Sequence, residues 1–235
     1  MKLGFLLGYS GKQIHIPLDL IKTAESMGYD SVWTAEAYGN DAVTSASWVL
    51  ANTSKIRVGT AIMQMPARTP AMCAMTAMSL DQLSGGRFIV GLGASGPQVV
   101  EGWHGVPYGK PVTRTKEYIQ IMRKIFKREG PVELDGKMYQ LPNTGEGTTG
   151  LGKPLKSTIH PFRPNIPIFL GAEGPKNVAL SAEICDGWLP LFFSPKEDGF
   201  YRLCLNEGFA KSGEANKSER FEIAATVTIV PGEDV

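Results

Sequence analysis

The 235-residue sequence contains only three cysteines and three histidines. Cys73, Cys185 and Cys204 lie far apart and form no close pair, which argues against a disulfide framework and against a metal site. We therefore expect a reducing, cytoplasmic compartment. The amino-terminal apolar stretch, residues 3–8, is too short for a signal peptide or for a membrane span, which needs about 20 residues.

An excess of charge of one sign is also missing. Only 20% of the residues are charged and the formal net charge is +1, which argues against nucleic acid and against an acidic membrane surface as partners. The hydrophobic content of 43% is typical of a globular protein with one sizeable core. The composition therefore favours a small molecule as the partner.

Short apolar runs alternate with longer amphipathic segments, a pattern typical of parallel strands joined by crossover helices. We predict seven strands, at residues 3–8, 31–35, 56–62, 88–92, 166–170, 187–191 and 221–230. Repeated strand–helix units favour a (β/α)8 TIM-type barrel, although a complete barrel has eight strands and typically about 250 residues. The prediction is a single α/β barrel domain over residues 1–235 that lacks its last unit or units.

Capping residues mark several helix boundaries. The helix predicted over residues 17–27 stops at Gly28, and Thr69-Pro70 and Ser194-Pro195 each combine an N-cap residue with a first-turn proline. A later helix carries one apolar face that should cover the sheet, made of Tyr118, Ile121, Met122 and Ile125. Five methionines are interpreted as packing residues: Met63, Met65, Met72, Met75 and Met78.

Residues 131–165 interrupt the alternation and are interpreted as an insertion after the fourth helix. Residues 132–134 and 137–141 flank Asp135-Gly136, a favoured two-residue turn, and predict a hairpin. The stretch over residues 142–164 is rich in Gly, Pro and Thr. Such a long irregular segment in a compact domain is typical of a functional lid or a mobile loop.

A glycine-rich turn follows the fourth predicted strand, with the sequence Gly91-Leu92-Gly93-Ala94-Ser95-Gly96-Pro97. Its spacing matches the dinucleotide fingerprint, but that fingerprint requires an acidic residue about 20 residues further on, at the end of the next strand. Lys116 and Glu117 lie there in a predicted helix, so we reject a nicotinamide site. Bare backbone at a strand end still allows an anionic cofactor to approach main-chain N–H groups.

Five segments resemble the luciferase-like monooxygenases, and within them the oxidoreductases that depend on the deazaflavin coenzyme F420. In order, the segments are Gly28-Tyr29-Asp30-Ser31-Val32-Trp33, Val58-Gly59-Thr60-Ala61-Ile62, Thr69-Pro70-Ala71-Met72, Leu80-Asp81-Gln82-Leu83-Ser84-Gly85-Gly86-Arg87-Phe88 and Ala182-Glu183-Ile184-Cys185-Asp186-Gly187-Trp188. They span nearly the whole chain. The resemblance implies a barrel that binds cofactor and substrate at the carboxyl ends of its strands.

The resemblance also implies which residues hold the cofactor. The third strand should end in a bulge with a non-proline cis peptide bond between Ala61 and Ile62, which supports the flavin ring. The predicted contacts are Ala61, Ile62 and Met63, a first phosphate loop of Gly93, Ala94, Ser95 and Gly96, and a second of Gly171, Ala172, Glu173, Gly174 and Asn177. Each loop precedes or opens a helix, whose free N–H groups favour an anion; tight turns that merely need glycine are the alternative.

Glu36 and His104 are the predicted catalytic residues. Glu36 occupies the position where the family places an acidic group beside the cofactor ring, and a solvated residue or an ion-pair partner is the alternative. His104 follows the glycine-rich turn and could donate a proton near neutral pH, although a lone histidine is more often structural. Ala37 stands where some F420-dependent alcohol dehydrogenases of the family have a histidine, which favours hydride delivery to an acceptor.

Aromatic residues near the strand ends are predicted to wall an apolar substrate pocket: Tyr9, Tyr38, Trp103, Tyr108, Phe192 and Phe193. Core filling is the alternative for these side chains. Arg68 is a candidate contact for an anionic group, with a surface ion pair as the more common arrangement.

The sequence therefore predicts an oxidoreductase that transfers a hydride between coenzyme F420 and a small organic substrate. Two alternatives stay open: an FMN-dependent luciferase-like monooxygenase, and a non-catalytic protein that binds flavin or deazaflavin. By resemblance alone, we expect a homodimer.

Overall fold

The computed structural model describes residues 1–229 and residue 232. Its strands are β1 (Gly4–Leu7), β2 (Ser31–Thr34), β3 (Arg57–Thr60), β4 (Met63–Gln64), β5 (Phe88–Gly93), β6 (Leu134–Asp135), β7 (Gln140–Leu141), β8 (Ile168–Gly171), β9 (Gly187–Leu189) and β10 (Glu222–Ile223). Its α-helices are α1 (Leu18–Ser26), α2 (Ala42–Asn52), α3 (Pro70–Leu83), α4 (Pro97–Gly102), α5 (Pro111–Lys127), α6 (Pro175–Ile184), α7 (Asp198–Ser212) and α8 (Lys217–Arg220). Two 3-10 helices cover Met65–Ala67 and Pro195–Glu197.

The main sheet is parallel and curled. Its order is β1-β2-β3-β5-β8-β9-β10, and β4 pairs with β5. In a flat sheet β10 would lie about 19 Å from β3, because neighbouring strands are about 4.8 Å apart. Instead Glu222, at the start of β10, accepts a 2.9 Å hydrogen bond from Arg57, at the start of β3. The sheet is therefore part of a TIM-type barrel, with β1 and β10 as its edges among the described residues.

Arg57 organises the amino-terminal end of this curled sheet. Its guanidinium donates a hydrogen bond of 2.5 Å to Asp30 and contacts Glu222, which also accepts a 3.1 Å hydrogen bond from Lys2. These side chains come from the starts of four strands, β1, β2, β3 and β10. The cluster thus joins edges that are neighbours only because the sheet is curled.

Apolar side chains cover both faces of the sheet, since successive residues of a strand point to opposite sides. The larger cluster lies between the strands and the helices and contains the predicted α5 face, whose four residues are at most 8% exposed. A smaller cluster lies inside the curl and consists of Trp33, Ile89, Phe169 and Leu189. The rings of Trp33 on β2 and Phe169 on β8 are 5.5 Å apart, although two strands separate β2 from β8 in the sheet.

All seven predicted strands are present in the main sheet, which has β4 as an eighth strand. Each of the seven predicted ranges overlaps an observed parallel strand, although β5 and β8 each extend one residue beyond the prediction. The seventh is shorter than predicted, because β10 covers only Glu222–Ile223, and the last predicted residue, Val230, lies outside the described residues. The sequence pattern missed β4, which is only two residues long.

The predicted hairpin is present, but its turn was placed wrongly. β6 and β7 pair antiparallel, so that residues 136–139 form the turn rather than Asp135-Gly136. The reason is tertiary: the carboxylate of Glu117 on α5 accepts hydrogen bonds from the backbone N–H groups of residues 137–139 at 2.8–3.0 Å. Three such donors outweigh the two-residue turn preference of the local sequence.

The loop over residues 142–164 has little regular structure, as predicted, and it is anchored near its end. Arg163 donates to both carboxylate oxygens of Asp81, which is fully buried on α3, and to the carbonyl oxygen of Phe88 at 3.1 Å. This anchor lies at the amino end of β5, opposite the end where the site is predicted. A role of the loop as a lid stays a prediction.

The start of α3 is confirmed and that of α7 is not. Thr69 Oγ1 accepts a 3.2 Å hydrogen bond from the backbone N–H of Met72, which makes Thr69 the N-cap. Ser194-Pro195 instead opens a 3-10 helix, and α7 begins at Asp198.

No helix within the described part of the chain is both long and apolar enough to cross a membrane.

The packing interpretation holds for three of the five methionines. Met63, Met65 and Met78 are buried, whereas Met72 and Met75 are each 54% exposed. The difference follows from the helix period, because residues 73, 74, 77 and 78 form the inner face of α3 and leave positions 72 and 75 on its outer face.

Helices α6 and α7 make their closest approach at Gly208. A Cβ atom at this position would lie 2.0 Å from the carbonyl oxygen of Ala179 and 2.7 Å from the Cβ atom of Ala182. Gly208→Ala should lower the free energy of unfolding by about 1–3 kcal/mol, because overpacking outweighs the better helix propensity of alanine. Urea denaturation would measure the change.

Gly199, near the start of the same helix, provides the matched control. A Cβ atom there would meet nothing within 4 Å. Gly199→Ala should therefore leave the stability unchanged or raise it by up to about 1 kcal/mol. Equal effects of the two substitutions would show that close helix packing does not require Gly208.

Candidate active site at the carboxyl ends of the strands

The side chain of Ile62 lies between the ends of β5 and β8. A Cβ atom added to Gly93, the last residue of β5, would lie 2.9 Å from Ile62, and one added to Gly171, the last residue of β8, would lie at the same distance from it. The close approach of Ile62 therefore explains why both positions are glycine. Their predicted role in holding a phosphate group stays a prediction.

The peptide bond between Ala61 and Ile62 is cis, as expected from the resemblance. It lies between β3, which pairs with the first half of β5, and β4, which pairs with the last residues of β5. Ala61 and Ile62 pack against the inner cluster, whereas Met63 is fully buried in the outer one. Of the three predicted ring contacts, Ala61 and Ile62 are therefore the two that border the inside of the curl.

Glu36 lies buried just after β2, and both of its carboxylate oxygens are hydrogen bonded. Oε1 accepts from the backbone N–H of Gln64 at 3.0 Å and from Arg68 at 2.7 Å. Oε2 accepts from the backbone N–H of Ala42 at 3.0 Å and from Arg68 at 2.7 Å. This bidentate pair matches the ion-pair alternative for Glu36, and a direct catalytic role stays a prediction.

Arg68 is shared between two carboxylates, since it also binds Asp41 at the N-cap of α2. Burial disfavours the charged form of Asp41, but hydrogen bonds from Thr44 and the charge of Arg68 outweigh it and lower the pKa of this carboxyl. Burial likewise disfavours the charged form of Arg68, but the hydrogen bonds and charge of Glu36 raise its pKa. Arg68 therefore stays charged, and its hydrogen bonds to Glu36 and Asp41 leave it poorly placed to bind an external anion.

Gln64 links this ion pair to His104. The side chain of Gln64 is 1% exposed, donates a 2.6 Å hydrogen bond to the carbonyl oxygen of Ala37, and contacts His104 Nε2 through its Oε1 at 2.6 Å. The two predicted catalytic residues are therefore connected through one buried residue, whose backbone N–H binds Glu36 and whose side chain binds His104. The sequence does not single out Gln64; its only signal is a polar residue two positions after the third predicted strand.

Both predicted phosphate loops open helices, as expected. Gly96 is the N-cap of α4, and Gly174 is the N-cap of α6. Ser95 has a positive φ of 61°, the left-handed conformation, which bends the first loop away from β5. In the second loop, Glu173 accepts a 2.6 Å hydrogen bond from the backbone N–H of Leu191 and so ties the end of β8 to the end of β9.

Asn177, in the first turn of α6, carries an orphaned polar atom. Its Oδ1 is buried and has no hydrogen-bond partner within residues 1–229 and 232. A half-turn of the amide would place its NH2 group at this point instead, and that group is a hydrogen-bond donor. At the helix start Pro175 has no N–H and the N–H of Asn177 donates to Gly174, so the side-chain amide of Asn177 is the group that fits an anion such as a phosphate.

The predicted pocket residues divide into two groups. Four aromatic side chains are 66–74% exposed at the strand ends: Tyr9, Tyr38, Trp103 and Phe192. Of these, Tyr38 and Trp103 lie with ring centroids 6.5 Å apart, while Tyr108 is half-buried. Phe193 instead stacks on Tyr201 at 5.7 Å and contacts Trp188, which is the core-filling arrangement.

A cavity of about 820 Å³ lies inside the curl, between β1 and β10. Trp33, Phe169 and Leu189 line its wall, and it extends from Arg57 at the amino end of the sheet to Ala61 at the carboxyl end. The cavity therefore reaches the cis peptide bond from the interior.

The curled parallel sheet, the outer helices and a polar rim at the strand ends define an α/β barrel of the TIM type. The luciferase-like monooxygenase model matches residues 4–235, so the chain belongs to this family.

Two relatives and one solved structure are similar to the chain. A Mycobacterium tuberculosis protein with the provisional name coenzyme F420-dependent oxidoreductase is 56% identical over all of this chain and 68% of its own length. The 5,10-methylenetetrahydromethanopterin reductase of Methanolobus tindarius is 36% identical over 83% of this chain. The structure of the coenzyme F420-dependent tetrahydromethanopterin reductase from Methanopyrus kandleri superposes with a TM-score of 0.79 at 24% identity.

The chain spans only part of these longer proteins. It covers 56% of the Methanolobus reductase. It covers 65% of the Methanopyrus chain, while 95% of the present chain is matched there. At 24% identity, the structural likeness supports the fold alone.

Glu36→Gln tests the anchoring role of the buried ion pair. The substitution removes one of the two carboxylates that bind Arg68 and leaves it paired with Asp41 alone, and breaking a buried ion pair of this kind costs up to about 3 kcal/mol. We expect the free energy of unfolding to fall by about this amount, measured by urea denaturation.

Glu207→Gln is the matched control, because Glu207 pairs with Lys211 on the exposed face of α7. Loss of a surface pair should cost less than about 1 kcal/mol. If both variants unfold alike, Glu36 does not anchor the rim.

Proposed function

We propose that the chain is an oxidoreductase that uses coenzyme F420 and transfers a hydride between this deazaflavin and a small organic substrate. The observation that carries the proposal is the convergence of β3, β5 and β8 on Ile62, beside half-buried His104 and the exposed pair Tyr38 and Trp103. The names of the two relatives and of the solved structure support it, since two of the three include coenzyme F420.

The residues present fit a deazaflavin with an anionic tail. Ala61 and Ile62 would support the ring, and the loop before α6, with the unpaired amide of Asn177, would hold the phosphate. Residues 93–96, the first predicted phosphate loop, would lie beside it at the end of the neighbouring strand β5. When bound, the deazaflavin supplies the hydride from its C5 atom, and the protein supplies position and electrostatics.

The substrate is proposed to be an electrophilic acceptor with an apolar or conjugated part. Tyr9, Tyr38, Trp103 and Phe192 present flat side chains at the strand ends, which suit conjugated rings. Ala37 cannot take the proton of an alcohol, and its carbonyl oxygen is already bound by Gln64. His104, half-buried at the same rim, is the group that would deliver a proton to the acceptor.

We propose that Glu36 acts indirectly, by orienting other residues rather than by contacting the cofactor. All of its hydrogen bonds go to protein donors, so its negative charge orients Gln64 and Arg68. A direct contact of Glu36 with the cofactor ring would require one of these bonds to break.

Cofactor titration tests the proposal. The purified chain should bind F420 at least about tenfold more tightly than FMN, a difference of about 1.4 kcal/mol, measured by absorbance and fluorescence. Mixing with reduced F420 and a panel of conjugated carbonyl compounds should then oxidise the deazaflavin. Preferential FMN binding with oxygen-dependent turnover would favour the monooxygenase, and tight F420 binding without turnover on any acceptor would favour the non-catalytic protein.

The same titration with Asn177→Ala tests where the anionic tail of F420 binds. Loss of one charge-assisted hydrogen bond should weaken F420 binding about tenfold. Asn206→Ala, on the exposed face of α7, is the control and should leave the binding constant unchanged. If both variants bind F420 equally well, the tail of the cofactor does not bind at α6.

We further propose that the protein is a homodimer joined through α2 and α3. Trp48 on α2 is 56% exposed, Met72 and Met75 on α3 are each 54% exposed, and Ile14 and Trp48 line an apolar groove of about 590 Å³. Large exposed apolar side chains at neighbouring helices are typical of a protein interface. A second copy of the chain is the proposed occupant.

Trp48→Lys should convert the dimer to a monomer, since a buried lysine charge opposes association. Light scattering after size-exclusion chromatography would measure the mass. Leu203→Lys is the control, because Leu203 is 71% exposed on α7, away from the proposed interface. A monomeric parent chain, or a Trp48→Lys variant that remains dimeric, would contradict this interface.

The proposal includes a cytoplasmic location and a single barrel domain with residues 131–165 as an insertion. Cys73, Cys185 and Cys204 are free and buried, as expected for a reducing compartment. Burial raises the pKa of the Cys73 thiol to about 11 and that of Cys185 to about 12, so these thiols stay protonated and inert.

A further inference from the structure

His104 and Gln64 form a hydrogen bond whose direction follows from their surroundings. His104 Nε2 lies 2.6 Å from Gln64 Oε1. A neutral imidazole has one nitrogen that donates and one that accepts, and the bond by itself does not say which is which. The other hydrogen-bond partner of Gln64 determines which nitrogen of His104 donates.

The amide of Gln64 can point in only one direction. Its Nε2 lies 2.6 Å from the carbonyl oxygen of Ala37, and a carbonyl oxygen only accepts hydrogen bonds, so the NH2 group must face Ala37. The oxygen of the amide therefore faces His104. A flipped amide would place two acceptors in contact on the Ala37 side.

Gln64 is also held rigidly in this position. It is 1% exposed, its main chain is paired with Gly93 in the sheet, and its backbone N–H donates to the carboxylate of Glu36 at 3.0 Å. Arg68 in turn holds that carboxylate from the other side. The backbone of Gln64 is thus fixed, and turning its side-chain amide would break the hydrogen bonds to Ala37 and His104.

We propose that Gln64 is a positioning residue that keeps a proton on His104 Nε2, so that Nδ1 is the atom that exchanges protons during turnover. An amide oxygen only accepts, so Nε2 must donate in both the neutral and the protonated ring. The proton role of His104 rests on the function proposed above, whereas the assignment of the Nε2 proton depends only on the contacts of Gln64.

The proton balance of the step is simple. The acceptor gains a hydride at carbon and a proton at its heteroatom, so it is reduced by two electrons. The imidazolium of His104 loses the proton from Nδ1 and becomes the neutral ring with its proton on Nε2. The hydrogen bond to Gln64 is the same before and after the transfer, so the protein need not rearrange.

Nitrogen-15 NMR of the histidine side chains tests the assignment directly. At about pH 8.5, above the usual imidazole pKa of about 6.5, His104 should show a protonated Nε2 and an unprotonated Nδ1. Its Nε2 proton should exchange slowly enough with water to be observed. His15 and His160 are exposed and serve as internal references, whose ring protons should exchange too fast to be seen.

Substitutions assign the signal and test its cause. His104→Gln should remove the protected proton signal, and Gln64→Met, similar in length but without a hydrogen-bonding amide, should abolish the protection while His104 remains. A proton on Nδ1 in the parent chain, or a protected Nε2 proton that survives in Gln64→Met, would overturn the assignment. The parent spectrum decides the tautomer even if the Gln64 variant does not fold.

Turnover separates this inference from the proposed function. With reduced F420 and an acceptor, Gln64→Met should lower kcat about tenfold or more while the dissociation constant of F420 stays within about twofold. Gln82→Met, the same substitution at an exposed position near the end of α3, should turn over like the parent. If His104→Gln turns over at the parent rate, His104 does not donate the proton, although the F420 chemistry stands. If the parent chain shows no F420 turnover at all, the proposed function is wrong, and the NMR spectrum still determines the tautomer of His104.

Discussion

The arrangement of the rim depends on the buried carboxylate of Glu36. It accepts hydrogen bonds from the start of α2, from β4 and from the guanidinium of Arg68, so one side chain joins segments that are far apart in the sequence. Burying a carboxylate is costly unless all its lone pairs are used, and here four donors satisfy it. The orientation of Gln64, and through it of His104, follows from this group.

A second constraint is spatial rather than electrostatic. Ile62 enters the space between β5 and β8, and only glycine at positions 93 and 171 leaves room for it. The glycine-rich turn therefore serves the packing of the barrel before it serves any ligand. At the opposite end, the Arg57 cluster joins the starts of four strands. Polar contacts thus fix both ends of the curled sheet, and apolar side chains fill the space between them.

Much of the fold could be predicted from sequence because its signals are local. Short apolar runs identified every strand of the parallel sheet except β4, Thr69-Pro70 marked the start of α3, and the apolar face of α5 followed the helix period. The hairpin turn and the start of α7 could not be predicted. The turn is set by three hydrogen bonds to Glu117 on another element, and no periodicity encodes such a contact.

The sequence alone determined the alternation of strands and helices and the family, because these depend on residue types in a fixed order along the chain, and the cis peptide bond after Ala61 followed from the family resemblance. Only the tertiary structure decided that Arg68 neutralises Glu36, that Phe193 belongs to the core, and that Gln64 connects Glu36 to His104. Hydrogen bonds between side chains depend on distances across the fold, and residues 28 or 40 positions apart carry no sign of such a contact in their order.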